Sequence, residues 1–157
     1  MRQGVRLGID VGKVRIGVAR CDPAGMLATP LETVRRAADG SDLRRLVALA
    51  AEYDAVEAVV GLPLALSGNR TASTIDAEGF AEVLARELSI PVRLVDERLS
   101  TVSASAALTA SGRTTKHSRQ IVDQAAATVI LQHALDAERA SGRAPGHAAL
   151  PDGGPTP

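Results

Sequence analysis

Three places in this chain put an acidic side chain where chemistry can be done. Asp10 closes the apolar run that starts at Val5, Asp96 and Glu97 follow the run from Pro91 to Val95, and Asp123 stands beside Val122, Ala125 and Ala126. In an open sheet with parallel strands, functional groups gather beyond the carboxyl ends of the strands. Asp10 and the Asp96-Glu97 pair lie at such ends. Asp123 falls instead on the packing side of a helical segment, where a carboxylate is costly unless it is paired or bound to a metal. Each acid alone has a bland account: Asp10 stabilises a turn, Asp96 or Glu97 pairs with Arg98, and Asp123 favours a helix N-terminus.

Together the acids suit hard divalent cations, Mg²⁺ or Mn²⁺, which take oxygen ligands. Two such ions about 4 Å apart hold a phosphodiester, activate the attacking water and stabilise the departing oxyanion. His117, His133 and His147 show no zinc-like spacing. Adjacent strand residues point to opposite faces, so Asp96 and Glu97 do not share one metal site. Spacing alone leaves open which of the two belongs to it.

Phosphate-directed chemistry also needs cations. From Arg98 to Val122 there is no acidic residue, while Arg98, Arg113, Lys116 and Arg119 are basic. Lys13, Arg15 and Arg20 lie in a second acid-free stretch, Val11 to Cys21. The sharper reading is that Lys13, Arg15, Arg98, Arg113, Lys116 and Arg119 hold a nucleic-acid backbone. The plainer one is a solvated face. Lys plus Arg and Asp plus Glu both number 18, so bulk charge does not mark a nucleic-acid binder. Aromatic content is 1%, only Tyr53 and Phe80, which argues against modules that stack bases on aromatic platforms.

The elements that must position these groups follow from periodicity. Val5–Asp10 and Ile16–Ala19 predict a hairpin, and Thr29–Val34 a third strand after the Asp22-Pro23-Ala24-Gly25 turn. Ser41–Tyr53 has helical spacing, with Ser41 or Asp42 as N-cap. Val56–Leu62 is continuously apolar, as a strand buried on both faces would be. Ser73–Leu88 predicts a helix opened by a Ser73/Asp76 capping box. Pro91–Val95 is the fifth strand, Val102–Ala110 a short helix, Ser111–Ser118 a polar loop around Gly112, and Arg119–Asp136 the last helix. The expectation is an α/β fold: a mixed five-stranded sheet with helices on both faces.

At 157 residues and 45% hydrophobic content, one domain is expected, spanning 1–138. Residues 139–157 hold four Gly and four Pro, which predicts a disordered tail. No apolar stretch reaches 18 residues and no leader is evident, so the expected place is the cytoplasm, away from membrane. Cys21 is alone, which suits a reducing compartment.

The sequence also resembles a known family. Gly8-Ile9-Asp10-Val11-Gly12 with Arg15-Ile16-Gly17-Val18-Ala19, then Val60-Gly61-Leu62-Pro63-Leu64 and Gly68, then Asp96-Glu97-Arg98-Leu99-Ser100-Thr101, and finally Val122-Asp123 with Ala125-Ala126 and Ile130-Leu131-Gln132 carry it. In this order they resemble the YqgF family, also called RuvX, over residues 5 to about 135. The resemblance implies a ribonuclease H-like fold and Mg²⁺- or Mn²⁺-dependent phosphodiester hydrolysis. The implied substrate is structured RNA, as in 5′-end processing of pre-16S rRNA during ribosome biogenesis, or branched DNA, as in Holliday junction resolution. The family pattern assigns the acidic trio to Asp10, Glu97 and Asp123 and so chooses Glu97 over Asp96. Ser100 departs from the pattern, where Thr is common. A homodimer would suit the cutting of a symmetric junction.

Two rival classes remain. The Asp10 hairpin also resembles the phosphate-binding start of sugar kinases and actin-like ATPases, but those enclose a nucleotide between two lobes and this chain supplies one. A non-catalytic nucleic-acid-binding module would keep the fold without using the trio.

Overall fold

The computed structural model describes residues 1–97 and 116–149. Six strands, β1 (Arg6–Val11), β2 (Arg15–Cys21), β3 (Ala28–Arg35), β4 (Glu57–Leu62), β5 (Val92–Asp96) and β6 (His147–Ala148), form one sheet in the order β3-β2-β1-β4-β5-β6. β1, β4 and β5 run parallel, and the remaining pairs are antiparallel. Three helices cover it: α1 (Ser41–Glu52), α2 (Ala72–Glu87) and α3 (Lys116–Ser141).

The period-two pleat sorts the strand residues into two interfaces. Leu7, Ile9, Ile16, Val18 and Val60 face α1 and α2, where Leu46, Leu49, Phe80 and Leu84 complete the larger core. Ala19, Cys21 and Val59 face α3 and meet Ala127, Ile130, Leu131 and Leu135. β4 is central and buried along its whole length, which explains its unbroken apolar run. The expected helices on both faces are present, and Cys21 is a buried part of the α3 interface.

On the α3 side, glycines replace side chains where the helix crosses the sheet. A Cβ on Gly8 would lie 2.6 Å from Leu131 Cβ and 2.8 Å from the Ala127 carbonyl oxygen. A Cβ on Gly17 would overlap the carbonyl oxygen of Asp123. One on Gly61 would overlap Glu97 Oε2 and reach Ile130 Cδ1 at 2.6 Å. α3 therefore packs on bare backbone. Its far end is held by buried charge: Arg6 Nη2 donates to Glu138 Oε2 at 3.0 Å, and Arg2 bridges Glu138 to Glu57, reaching Glu57 Oε2 at 3.1 Å. Burial opposes the Glu138 charge, yet the hydrogen bonds from Arg2 hold its carboxyl below the usual range.

Several local expectations are corrected. The sheet has six strands rather than five, because the chain beyond α3 returns to the edge. There β6 pairs with β5, Leu94 opposite His147 and Arg93 opposite Ala148. The expected disordered tail from residue 139 is thus ordered as far as 149, and α3 runs through the 138 boundary to Ser141. Edge pairing needs little apolar surface. Arg93 donates to the carbonyls of Pro145 and Gly146, Gly146 turns the chain at φ 61°, Ala149 N–H bonds Val92 O at 2.8 Å, and Ala149 is buried. Residues 150–157 lie outside the described residues.

α1 is capped by Gly40 in the left-handed region, not by Ser41 or Asp42. The Asp42 carboxylate instead accepts the N–H groups of Ala37 and Leu43. α2 opens on a Thr71/Thr74 capping box, and Asp76 is released to pair with Arg36. α3 begins at Lys116, inside the stretch expected to be loop. The expected helix at 102–110 lies outside the described residues. Among those described, no helix is long and apolar enough to cross a membrane.

Removing the edge strand should register in stability. Truncation after Ser141 is expected to cost about 1–2 kcal/mol, roughly 3–6 °C in Tm, while truncation after Ala149 leaves Tm within about 1 °C. Identical melting of the two truncated chains would show that β6 contributes nothing.

Candidate active site

The carboxyl ends of β1, β4 and β5 meet at one end of the sheet, and the three trio acids gather there. Asp10 is the fifth residue of β1 and shares the α3-facing side with Gly8. In register it sits opposite Gly17 of β2. Because α3 rests on Gly17 by its Asp123 carbonyl, the contact that docks the helix also brings Asp123 beside Asp10. Glu97 follows β5 directly and donates its N–H to Leu62 O at 3.3 Å. Its side chain is buried over Gly61, on the α3 side, whereas Asp96 is exposed. The pleat separates the two neighbours as expected.

The electrostatics show that the three groups share one field. The Asp10 carboxyl is pushed up to about 7, first by burial, then by the charges of Glu97 and Asp123. Such a cluster is unfavourable by itself and is relieved by a cation, so this all-oxygen donor set fits a hard divalent ion. The trio is assembled but not closed. Among the described residues, no group of three His, Cys, Asp or Glu side chains is drawn close enough to hold a metal ion. Arg15 Nε donates instead to Asp123 Oδ2 at 2.8 Å, in a pair 28% and 17% exposed. A partly exposed pair of this kind contributes up to about 1 kcal/mol.

The basic residues expected to meet phosphate fall into groups. Arg15 lies at the trio, on Asp123. Lys13 is exposed at the tip of the β1–β2 hairpin. Lys116 and Arg119 stand in the first turn of α3, and Arg98 and Arg113 lie outside the described residues. Sequence reasoning missed Arg36. Its Nη1 donates to Gly12 O at 3.2 Å and to Asp76 Oδ2 at 2.6 Å, with the guanidinium 5.4 Å from the Phe80 ring centre. It ties the hairpin turn after Asp10 to α2. No spacing rule marks it, because its partners come from two distant segments. The cavity beside it, about 440 Å³ and lined by Arg36, Asp42, Ile75, Asp76 and Phe80, opens on the α1/α2 side, across the sheet from Asp123.

The family model described as "RuvX: Holliday junction resolvase" matches residues 4–137. The chain belongs to the RuvX family. A RuvX relative from Leifsonia xyli subsp. xyli, named "Putative pre-16S rRNA nuclease", is 63% identical over 155 residues, covering 99% of this chain and 100% of its own. A relative of the same name from Streptomyces avermitilis is 52% identical over 147 residues, covering 93% and 94%. Among solved structures, Thermus thermophilus RuvC in complex with a Holliday junction substrate matches with a TM-score of 0.56 at 19% identity, covering 92% of this chain and 99% of that one. A second T. thermophilus RuvC structure matches with a TM-score of 0.51, covering 87% and 97%. The ribonuclease H-like fold implied by the sequence is thus the fold of this RuvX chain.

The raised Asp10 carboxyl predicts a pH signature. Its folded value of about 7 lies above the ordinary 3.8, so the native state holds this proton more tightly than the unfolded chain. The stabilisation from the protonated form is fully present below about pH 4 and is lost as pH rises through about 7. Ionisation then costs on the order of 4 kcal/mol at most. Asp10→Asn escapes this cost. In EDTA at pH 8 it should melt several degrees above the parent, with the gap closing toward pH 4. Equal melting at pH 8 would show that Asp10 ionises without penalty.

Proposed function

We propose that this RuvX chain is a divalent-metal-dependent nuclease in which Asp10, Glu97 and Asp123 hold Mg²⁺ or Mn²⁺, two ions in the working state, at the carboxyl ends of β1 and β5. One observation carries the reading: three carboxylates from separate elements meet at Asp10, whose carboxyl is pushed up to about 7 first by burial and then by the charges of Glu97 and Asp123. When bound, the ions supply an activated water and stabilisation of the departing oxyanion. The chain's own residues do the rest. Asp10 and Glu97, both largely buried, provide fixed anionic oxygens, and Asp123 provides the third from α3. Gly17 and Gly61 hold the geometry by admitting the helix and the Glu97 side chain.

The substrate proposed is precursor 16S rRNA, which the names of the relatives support, and the cut is proposed to fall near its 5′ end, in the cytoplasm. A four-way DNA junction is the second reading, favoured by the family description and by the likeness to a RuvC bound to one. Symmetric cutting of a junction would call for a homodimer. Lys13, Arg15, Arg98, Arg113, Lys116 and Arg119 are proposed to hold the nucleic-acid backbone.

The test is cleavage by the purified chain of a structured RNA precursor beside a four-way DNA junction, with Mg²⁺ and then Mn²⁺. Glu97→Gln should lower the rate roughly 100-fold or more, since several kcal/mol of charge stabilisation is lost. Asp96→Asn, on the opposite face, should change it less than about threefold. Comparable damage from the two would place the wrong member of the pair in the site, and cleavage of the junction alone would replace the rRNA reading.

A further inference from the structure

The trio contains one contact that a metal site does not need. Arg15 stands on β2, two residues from Gly17 and on the same side of the strand, so its side chain lies at the rim of the acidic cluster. It engages Asp123 through one nitrogen, Nε to Oδ2 at 2.8 Å. Its Nη1 and Nη2 make no hydrogen bond with any described residue. The side chain is 28% exposed, so its stem can swing without unpacking a core. Meanwhile the three carboxylates are near enough to repel one another, yet not arranged to enclose an ion.

We propose that Arg15 is a placeholder cation: its guanidinium holds the Asp123 carboxylate until a divalent ion takes it, and the displaced guanidinium then meets the substrate phosphate. The inference rests on the trio being the metal site. A guanidinium and a divalent ion on one carboxylate repel each other across a few ångströms, and one partly screened hydrogen bond does not offset that repulsion. Arg15 therefore yields. Its two Nη groups form a planar fork suited to phosphate oxygens, and the phosphate arrives beside the very site it has left. In this arrangement, metal loading and backbone binding are coupled through one side chain. Arg15 is a positioning residue for Asp123 before loading and a phosphate contact afterwards.

Two measurements on the full chain test it. The first is Mn²⁺ binding without nucleic acid, by electron paramagnetic resonance or calorimetry. Arg15→Gln should tighten Mn²⁺ roughly 2- to 5-fold, Arg15→Lys should fall between, and Arg44→Gln, the same charge loss at an exposed position of α1, should change affinity less than about 1.5-fold. The second is binding of a short RNA hairpin with a single-stranded 5′ extension, in EDTA. Asp123→Asn frees Arg15 and should strengthen binding roughly 3-fold, a gain that largely disappears in an Arg15→Gln background. Mn²⁺ binding that depends on Asp10 but is unchanged or weakened by Arg15→Gln overturns the placeholder alone. So does an equal gain from Asp123→Asn in both backgrounds. No Mn²⁺ binding by the parent chain, or undiminished binding by Asp10→Asn, removes the metal-site reading and the placeholder with it.

Discussion

The approach of α3 to the sheet is the constraint on which the rest depends. A helix normally rides on a layer of side chains, with its axis 8–10 Å or so from its neighbour. Here Gly8, Gly17 and Gly61 remove that layer under Ala127, Asp123 and Ile130. The helix backbone at Asp123 comes down directly on the strand position opposite Asp10. A carboxylate carried by a helix is thereby set beside carboxylates carried by strand ends. Any side chain at Gly17 would lift the helix at this one point, so the residue is part of the site without doing chemistry. Gly61 acts for Glu97 in the same way, leaving the space its Oε2 fills.

The same helix–sheet interface carries charge at both ends, and the two ends are balanced differently. At the far end Arg2 and Arg6 face Glu57 and Glu138, acids and bases in equal number, each hydrogen-bonded to another. That cluster neutralises itself and fixes the course of the helix. At the near end, among the described residues, Asp10, Glu97 and Asp123 gather, and the Arg15 guanidinium pairs with Asp123. Burial first, and then this negative charge, raises the Asp10 carboxyl, and the charge is what a divalent cation would offset. Paired charge lies at one end of α3 and the proposed metal site at the other.

Much of this was legible in the sequence for physical reasons. Acids that end apolar runs mark strand termini, so Asp10 and Glu97 could be placed at the carboxyl ends of their strands. The two-residue pleat separates Asp96 from Glu97, and the second is the buried one. The glycines were visible as motif residues, but their purpose depends on where α3 crosses, a long-range fact that local spacing does not hold. β6 escaped notice because edge pairing uses backbone groups, and a Gly- and Pro-rich stretch with one buried alanine has no apolar signature. The caps of α1 and α2 shifted because Asp42 and Asp76 found other partners, Ala37 with Leu43 and Arg36. Tertiary competition for a side chain overrides a local capping preference.

The central claim is that a glycine-docked helix makes one metal centre from Asp10, Glu97 and Asp123. The most direct measurement is diffraction from crystals soaked in Mn²⁺, recorded at the manganese absorption edge. The account predicts an anomalous peak within about 2.0–2.3 Å of carboxylate oxygens from all three residues, with Asp96 uninvolved. A peak held by Asp96, or by only one of the three, would contradict it.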